Sequence, residues 1–236
     1  MKLVRPTRRF SLIPLVALTL ALTGYQSTAS EKGGGWVALF DGKTLEGWEQ
    51  HSGQAKYRVE DGAIVGQTVL NTGNSFLCTQ RKFANFIFEF EFRVDPKMNS
   101  GVQFRSEFFD KEKELVVNDK PKKFPADRVH GYQYEIDPSA RAFSAGVYDE
   151  ARRGWLADLK ENEAARKAFK QGEWNKSRIE CRGDSIKTWI NGAPAADFKD
   201  SMTPCGVFGL QVHGIGKKGV PGSEIRWRNI RIKELK

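Results

Sequence analysis

Residues 83–95 read FANFIFEFEFRVD, with Phe86, Phe88, Phe90 and Phe92 at every second position and Glu89, Glu91 and Arg93 between them. A period of two sends four rings to one face and three charges to the other, which describes a strand half buried in a core and not a helix. The same alternation recurs. YRVEDGAIVGQ reads as two short strands about Asp61-Gly62, and NKSRIECRGDSIKTWINGAPAADF as strands turning at RGD and NG. SFLCTQ, SGVQFRSEF, HGYQYEIDP, GVFGLQVHG and SEIRWRNIRIKEL add further strands. Many short strands separated by Gly-rich turns predict an all-β fold, a two-sheet antiparallel sandwich. Only residues 150–170 look helical, with Leu156, Leu159, Ala164 and Phe169 near helical spacing. Residues 110–128 are a polar, Pro-containing insertion, readable as a lid or as a plain exposed loop.

The first 29 residues have another character. MKLVRPTRRF carries Lys2, Arg5, Arg8 and Arg9 and no acid; the apolar run SLIPLVALTLALTG and the small residues STAS follow. That order predicts a signal peptide at 1–29, cleaved near Ala29; its apolar run is too short to span a bilayer. LTGY (22–25) has the form of a lipoprotein box with Tyr25 where the lipid-carrying Cys would stand, so no thioether lipid can form. The expectation is an exported chain, periplasmic or secreted, without stable membrane insertion after cleavage. EKGGG lies in a flexible linker at 30–35, leaving one domain at 36–236.

The formal charge of +9 is partly the leader's: without its four basic residues, the 38 Lys and Arg become 34 against 29 acids. The remainder is scattered. KPKKF (120–124) is the only dense basic run, and no basic face with stacking aromatics appears, so no nucleic-acid partner is expected. Cys78, Cys181 and Cys205 show no zinc-binding spacing; one disulfide plus a thiol, or three thiols, are both compatible with them.

Function is suggested by the outward faces of three strands. If Val102 and Phe104 point inward, Gln103 and Arg105 point out. If Tyr132, Tyr134 and Ile136 point inward, Gln133, Glu135 and Asp137 point out. If Leu210 and Val212 point inward, Gln211 and His213 point out. Each strand contributes a Gln and at least one charged or titratable group. Amides and carboxylates hydrogen-bond sugar hydroxyls, and Arg binds anionic oxygens, so a glycoside or oligosaccharide partner is expected. Trp48, Trp155 and Trp189 are candidate stacking platforms, although Trp is more often a core residue. An interstrand pair of Arg105 and Glu135 would be the plainer alternative.

LFDGKTLEGW, NSGVQFRS, GYQYEID, AGVYDEARRGWL, GEWNKSRIECRGDSIKTWINGAPAADF and GLQVHG followed by IRWRNIRIKEL occur in that order. Together, over residues 36–235, they resemble the 3-keto-disaccharide hydrolase family of exported bacterial proteins. The resemblance implies a concanavalin A-like jelly roll acting on glycosides whose sugar carries a ketone at carbon 3. A laminarinase-type glycosidase would need a third carboxylate on the EID strand. Ser139 and Ala140 stand in that position, and the two-carboxylate mechanism is rejected unless a distant acid such as Glu150 substitutes. A 3-keto sugar needs only a base for the hydrogen on carbon 2, an enolate stabiliser and an acid for the leaving group. The candidates are Glu135 or His213 as base, Asp137 as its partner, Arg105 at the oxyanion and Tyr148 as acid. Gln103, Gln133, Gln211, Trp48 and Trp155 would contact sugar. A divalent metal on Glu135, Asp137 and His213 is a further option. The alternative reading is a non-catalytic carbohydrate-binding module of the same fold.

Overall fold

The computed structural model describes Met1 and residues 35–236. The signal-peptide, lipoprotein-box and most of the linker readings lie outside the described residues. Two antiparallel sheets face one another. In the first, β15 (Ala193–Lys199), β14 (Ser185–Ile190), β13 (Asn175–Arg182), β6 (Phe86–Val94), β17 (Glu224–Glu234), β4 (Ala63–Gln67) and β3 (Lys56–Glu60) lie in that order, with β1 (Val37–Ala38) paired to β17. In the second the order is β12 (Gly154–Ala157), β11 (Val147–Glu150), β10 (His130–Ile136), β7 (Ser100–Glu107), β16 (Val207–Val212), β5 (Ser75–Thr79) and β2 (Trp48–Ser52). The sandwich is the one expected, and the order is set by neighbours distant in the chain.

Phe86, Phe88, Phe90 and Phe92 all point into the space between the sheets, as their spacing requires. Phe88 stacks on Phe208 of β16 with centroids 3.9 Å apart, and Phe90 meets Tyr134 of β10 edge-on at 5.4 Å. Burying rings of this size contributes about 1.5–3 kcal/mol each. The predicted turns hold: Asp61 and Gly62 have φ of 51° and 72°, and Asn191 and Gly192 have 49° and 86°, the left-handed pair that a two-residue hairpin needs. The helix is much shorter than expected. Residues 154–157 pair with β11 as a strand, and only α1 (Glu163–Ala168) is helical, capped by the Asn162 side chain. All three cysteines are free; Cys78 and Cys181 are buried and Cys205 is exposed. No helix among the described residues is long and apolar enough to cross a membrane.

The 110–128 insertion is built as a hairpin, β8 (Lys113–Val117) and β9 (Lys120–Phe124). Its feet sit on the outer face of the second sheet. Phe108 and Val129 pack there with Phe76, Cys78 and Val207. Asp127 accepts from the Ser52 amide at 2.8 Å and lies 2.5 Å from His51 Nδ1. His130, between Phe109 and Phe124, is fully buried, and neither of its ring nitrogens has a hydrogen-bond partner. Burial, then the charges of Arg152, Arg128 and Lys113, holds its pKa down to about 4. A base depressed in the folded state gives stability that is full above the unfolded value near 6.5 and lost as pH falls towards 4. The loss reaches up to about 3 kcal/mol. Urea denaturation at pH 7 and pH 4 is expected to show this loss, and His130→Phe is expected to remove most of it.

Candidate functional site

Register shows which side chains share the outer face of the second sheet. Gln103 of β7 lies opposite Gln133 of β10, and Gln133 lies opposite Tyr148 of β11, which lies opposite Trp155 of β12. Two residues along the strands, Gln211 of β16 and Glu135 of β10 flank Gly101. Any Cβ on Gly101 would lie 2.5 Å from the Gln133 side chain, so a glycine is required there for the amide to cross.

These groups form one directed chain of hydrogen bonds. Ser106 Oγ donates to Gln103 Oε1 at 2.7 Å, and Gln103 Nε2 donates to Gln133 Oε1 at 2.6 Å. Gln211 Nε2 donates to the same oxygen at 2.9 Å. Gln133 Nε2 then donates to Glu135 Oε2 at 2.9 Å, and Asn99 Nδ2 donates to Glu135 Oε1 at 2.7 Å. Every donor in the chain points towards Glu135. The carboxylate is only 5 % exposed, and burial raises its pKa; the bonds from Asn99 and Gln133 oppose that rise, the Asp137 charge adds to it and the Arg141 charge offsets it. Gln103 and Gln211 are fully buried and Gln133 nearly so. The expectation that the three amides contact sugar is therefore corrected: they hold the carboxylate.

Arg105 is the largest departure. Between Gln103 and Ser106, β7 spends one residue more than β16 opposite it, and between Phe104 and Glu107 one more than β10. Arg105 takes up this bulge with φ of 45°. Its side chain is thereby turned off the outer face and into the interior. Nε donates to the Ala84 carbonyl and Nη1 to the Gly183 carbonyl, both at 2.8 Å, in connections of the first sheet. Trp48 is likewise a core residue, buried and donating Nε1 to the Leu39 carbonyl at 2.8 Å. Trp189 lies on the other sheet, beside a cavity of about 680 Å³ that is also lined by Arg178, Glu89 and Arg231. Glu89 there is already bonded to both arginines.

Asp137 anchors the turn after β10. It accepts from Arg141 Nε at 2.7 Å, from the Ser139 amide at 3.1 Å and from the Phe143 amide at 3.3 Å. Partial burial pushes its pKa up, but these donors outweigh it and hold the carboxyl below the usual value. His213 is exposed at the end of β16, with Nδ1 2.8 Å from the Gly214 carbonyl oxygen. Glu135, Asp137 and His213 are thus each bonded elsewhere. Among the described residues no group of three His, Cys, Asp or Glu is placed to hold a metal ion, so the ligand set offered as a further option is not assembled. Tyr148 and Trp155, to which the sequence pattern assigned no common face, lie together here, half-buried and edge-to-face at 5.4 Å. Burial, then the charges of Glu150, Glu135 and Asp149, raises the Tyr148 pKa and keeps its hydroxyl protonated.

Asn99 is a site residue that the sequence expectations did not include, and Glu150 entered them only as a distant substitute acid. Asn99 shares the outward parity of Gly101 and Gln103, a signal that was available. Glu150, two residues beyond Tyr148, accepts from Arg128 Nη2 at 2.8 Å and from Asn74 Nδ2 at 3.2 Å. Asn74 precedes β5, with three strands between it and β11, so the face must curl for the two to meet. Arg105→Ala is expected to cost about 2–4 kcal/mol in urea denaturation, because it strands buried carbonyl groups.

The comparisons with known proteins agree on the fold. A family model described as the 3-keto-alpha-glucoside-1,2-lyase-like domain matches residues 35–233. A Bacteroides thetaiotaomicron protein named 3-keto-disaccharide hydrolase is 24 % identical over 246 residues, covering 85 % of this chain and 79 % of that protein. A candidate glycosyl hydrolase from Parabacteroides distasonis superposes with a TM-score of 0.55 at 20 % identity, over 86 % of this chain and 94 % of that one. A Bacillus subtilis protein of unknown function with a galectin-like fold gives 0.57 at 11 % identity, over 80 % and 90 %. Structural likeness at such identities establishes the jelly-roll sandwich and nothing of what is bound.

Proposed function

Because the chain belongs to the 3-keto-alpha-glucoside-1,2-lyase-like family, we propose that it cleaves glycosides oxidised at carbon 3, with Glu135 as the base. The observation that carries this reading is the buried carboxylate at the end of a one-way chain of amide donors. Its pKa is raised while that of Asp137, two residues on, is lowered. Environments that push neighbouring carboxyls apart separate a proton acceptor from a fixed charge. His213, exposed and oriented only by a backbone carbonyl, fits the base role less well.

In the proposed reaction Glu135 takes the hydrogen from carbon 2, and the electron pair of that C–H bond forms the enolate of the 3-ketone. The enolate collapses: the ketone re-forms, a double bond appears between carbons 1 and 2, and the bond from carbon 1 to the glycosidic oxygen breaks. The Tyr148 hydroxyl is suited to protonate the departing oxygen, and Trp155 beside it forms an apolar wall. Addition of water across the new double bond, hydroxyl to carbon 1 and hydrogen to carbon 2, completes a net hydrolysis.

Incubation with a 3-keto-glucoside is expected to release the aglycone. Glu135→Gln should lower kcat by about 10²–10⁴-fold. Since the base acts ionised and its pKa lies above 4.5, the acidic limb of the rate profile should fall above that value and vanish in the variant. Sugar binding without any release would support the binding-module reading instead. We also propose that the chain is exported without a lipid anchor: the mature N-terminus should map near Ser30 in the periplasmic or secreted fraction, and lipid on it would contradict this.

A further inference from the structure

Proton abstraction next to a ketone needs a donor aimed at the oxygen that becomes negative, and Arg105, buried on the carbonyls of the opposite sheet, cannot supply it. Other cations near this face are committed. Arg128 is bonded to Glu150, and Arg152 and Arg153 share Asp149. Arg141 differs. Its Nε donates to Asp137 at 2.7 Å, and its guanidinium lies over the rings of Phe143 and Trp155 at 5.1 and 5.3 Å. Among the described residues its two Nη groups have no hydrogen-bond partner, and the side chain is 47 % exposed. Three of its contacts fix the plane of the guanidinium while the outer fork stays open.

The position matches the reaction. Trp155 lies opposite Tyr148, and Tyr148 lies opposite Gln133, which holds Glu135. Arg141 therefore closes the rim that begins at the base. Its charge is felt by the Glu135 carboxyl, whose pKa it draws down. Held by one nitrogen, a guanidinium still offers a planar fork of donors, which suits an enolate oxygen and an adjacent hydroxyl together.

We propose that Arg141 binds the developing enolate oxygen, with Asp137 as its positioning residue; the proposal rests on the reaction assigned above. Arg141→Ala should lower kcat on a 3-keto-glucoside by about 10²–10³-fold with a smaller change in KM. Its circular dichroism spectrum should stay that of the folded chain, with a lowered melting temperature because the buried Asp137 keeps its amide donors and loses its charge partner. Guanidinium ion at millimolar concentration should restore part of the Arg141→Ala rate and none of the Glu135→Gln rate. A kcat within about threefold of the unsubstituted chain would overturn the assignment. A binding measurement separates it from the reaction itself. A 3-deoxy-3-nitro-glucoside, as its nitronate, carries the enolate's charge without a leaving step, and calorimetry should show at least tenfold weaker binding to Arg141→Ala. Equal binding to both proteins, or none to the unsubstituted chain, refutes the role of Arg141. Arginine-dependent nitronate binding without turnover of the keto-glucoside refutes the reaction and keeps the site.

Discussion

The site depends on one added residue in β7. A regular strand would send Gln103 and Arg105 to the same face. The bulge sends Arg105 inward to bind carbonyls of the other sheet and puts Ser106 outward in its place. Ser106 then starts the line of donors that runs through Gln103 and Gln133 to Glu135. Without that line, a carboxylate this deeply buried would face its desolvation with only Asn99 beside it. The inward arginine and the outward carboxylate are thus two results of the same backbone irregularity, one joining the sheets and one equipping a face.

Much of the fold was legible because period-two alternation is a local signal. The four phenylalanines of β6 and the Asp61-Gly62 and Asn191-Gly192 turns needed no knowledge of partners. The helix over 150–170 was misread because Gly154, at φ of 81°, starts a strand that only β11 can define. At the site, parity placed Gln103, Gln133, Gln211 and Glu135 on one face but said nothing of depth, and it assigned no face to Tyr148 or to Trp155, which lay within the segment expected to be helical. The amides are covered by neighbours from other segments, which turns would-be sugar contacts into supports. Arg105 was misplaced because a bulge changes parity without any residue type announcing it. Arg141 lies in a turn, where no periodicity exists to reveal it.

The family and the fold constrain function from different sides. Lectin-like and hydrolase-like proteins share this sandwich, so the architecture does not by itself separate binding from catalysis. What supports the proposed catalytic reading over the binding one is a buried group of raised pKa, held by directed hydrogen bonds, beside a protonated phenol and an aromatic wall. A surface built only to hold sugar has little use for a carboxylate kept out of water.

The curl that brings Asn74 to Glu150 has a consequence for the order in which the molecule is made. Asn74 also accepts from the Gly214 amide at 2.8 Å, so segments 140 residues apart meet at one corner. Contacts of such separation form late, since loop closure must precede them. The hairpins about Asp61 and Asn191 can assemble early and alone. The face bearing Glu135 has no half-built form, because β16 delivers Gln211 and Gly214 only near the end of the chain. The local hairpins can therefore form before the face bearing Glu135 is closed.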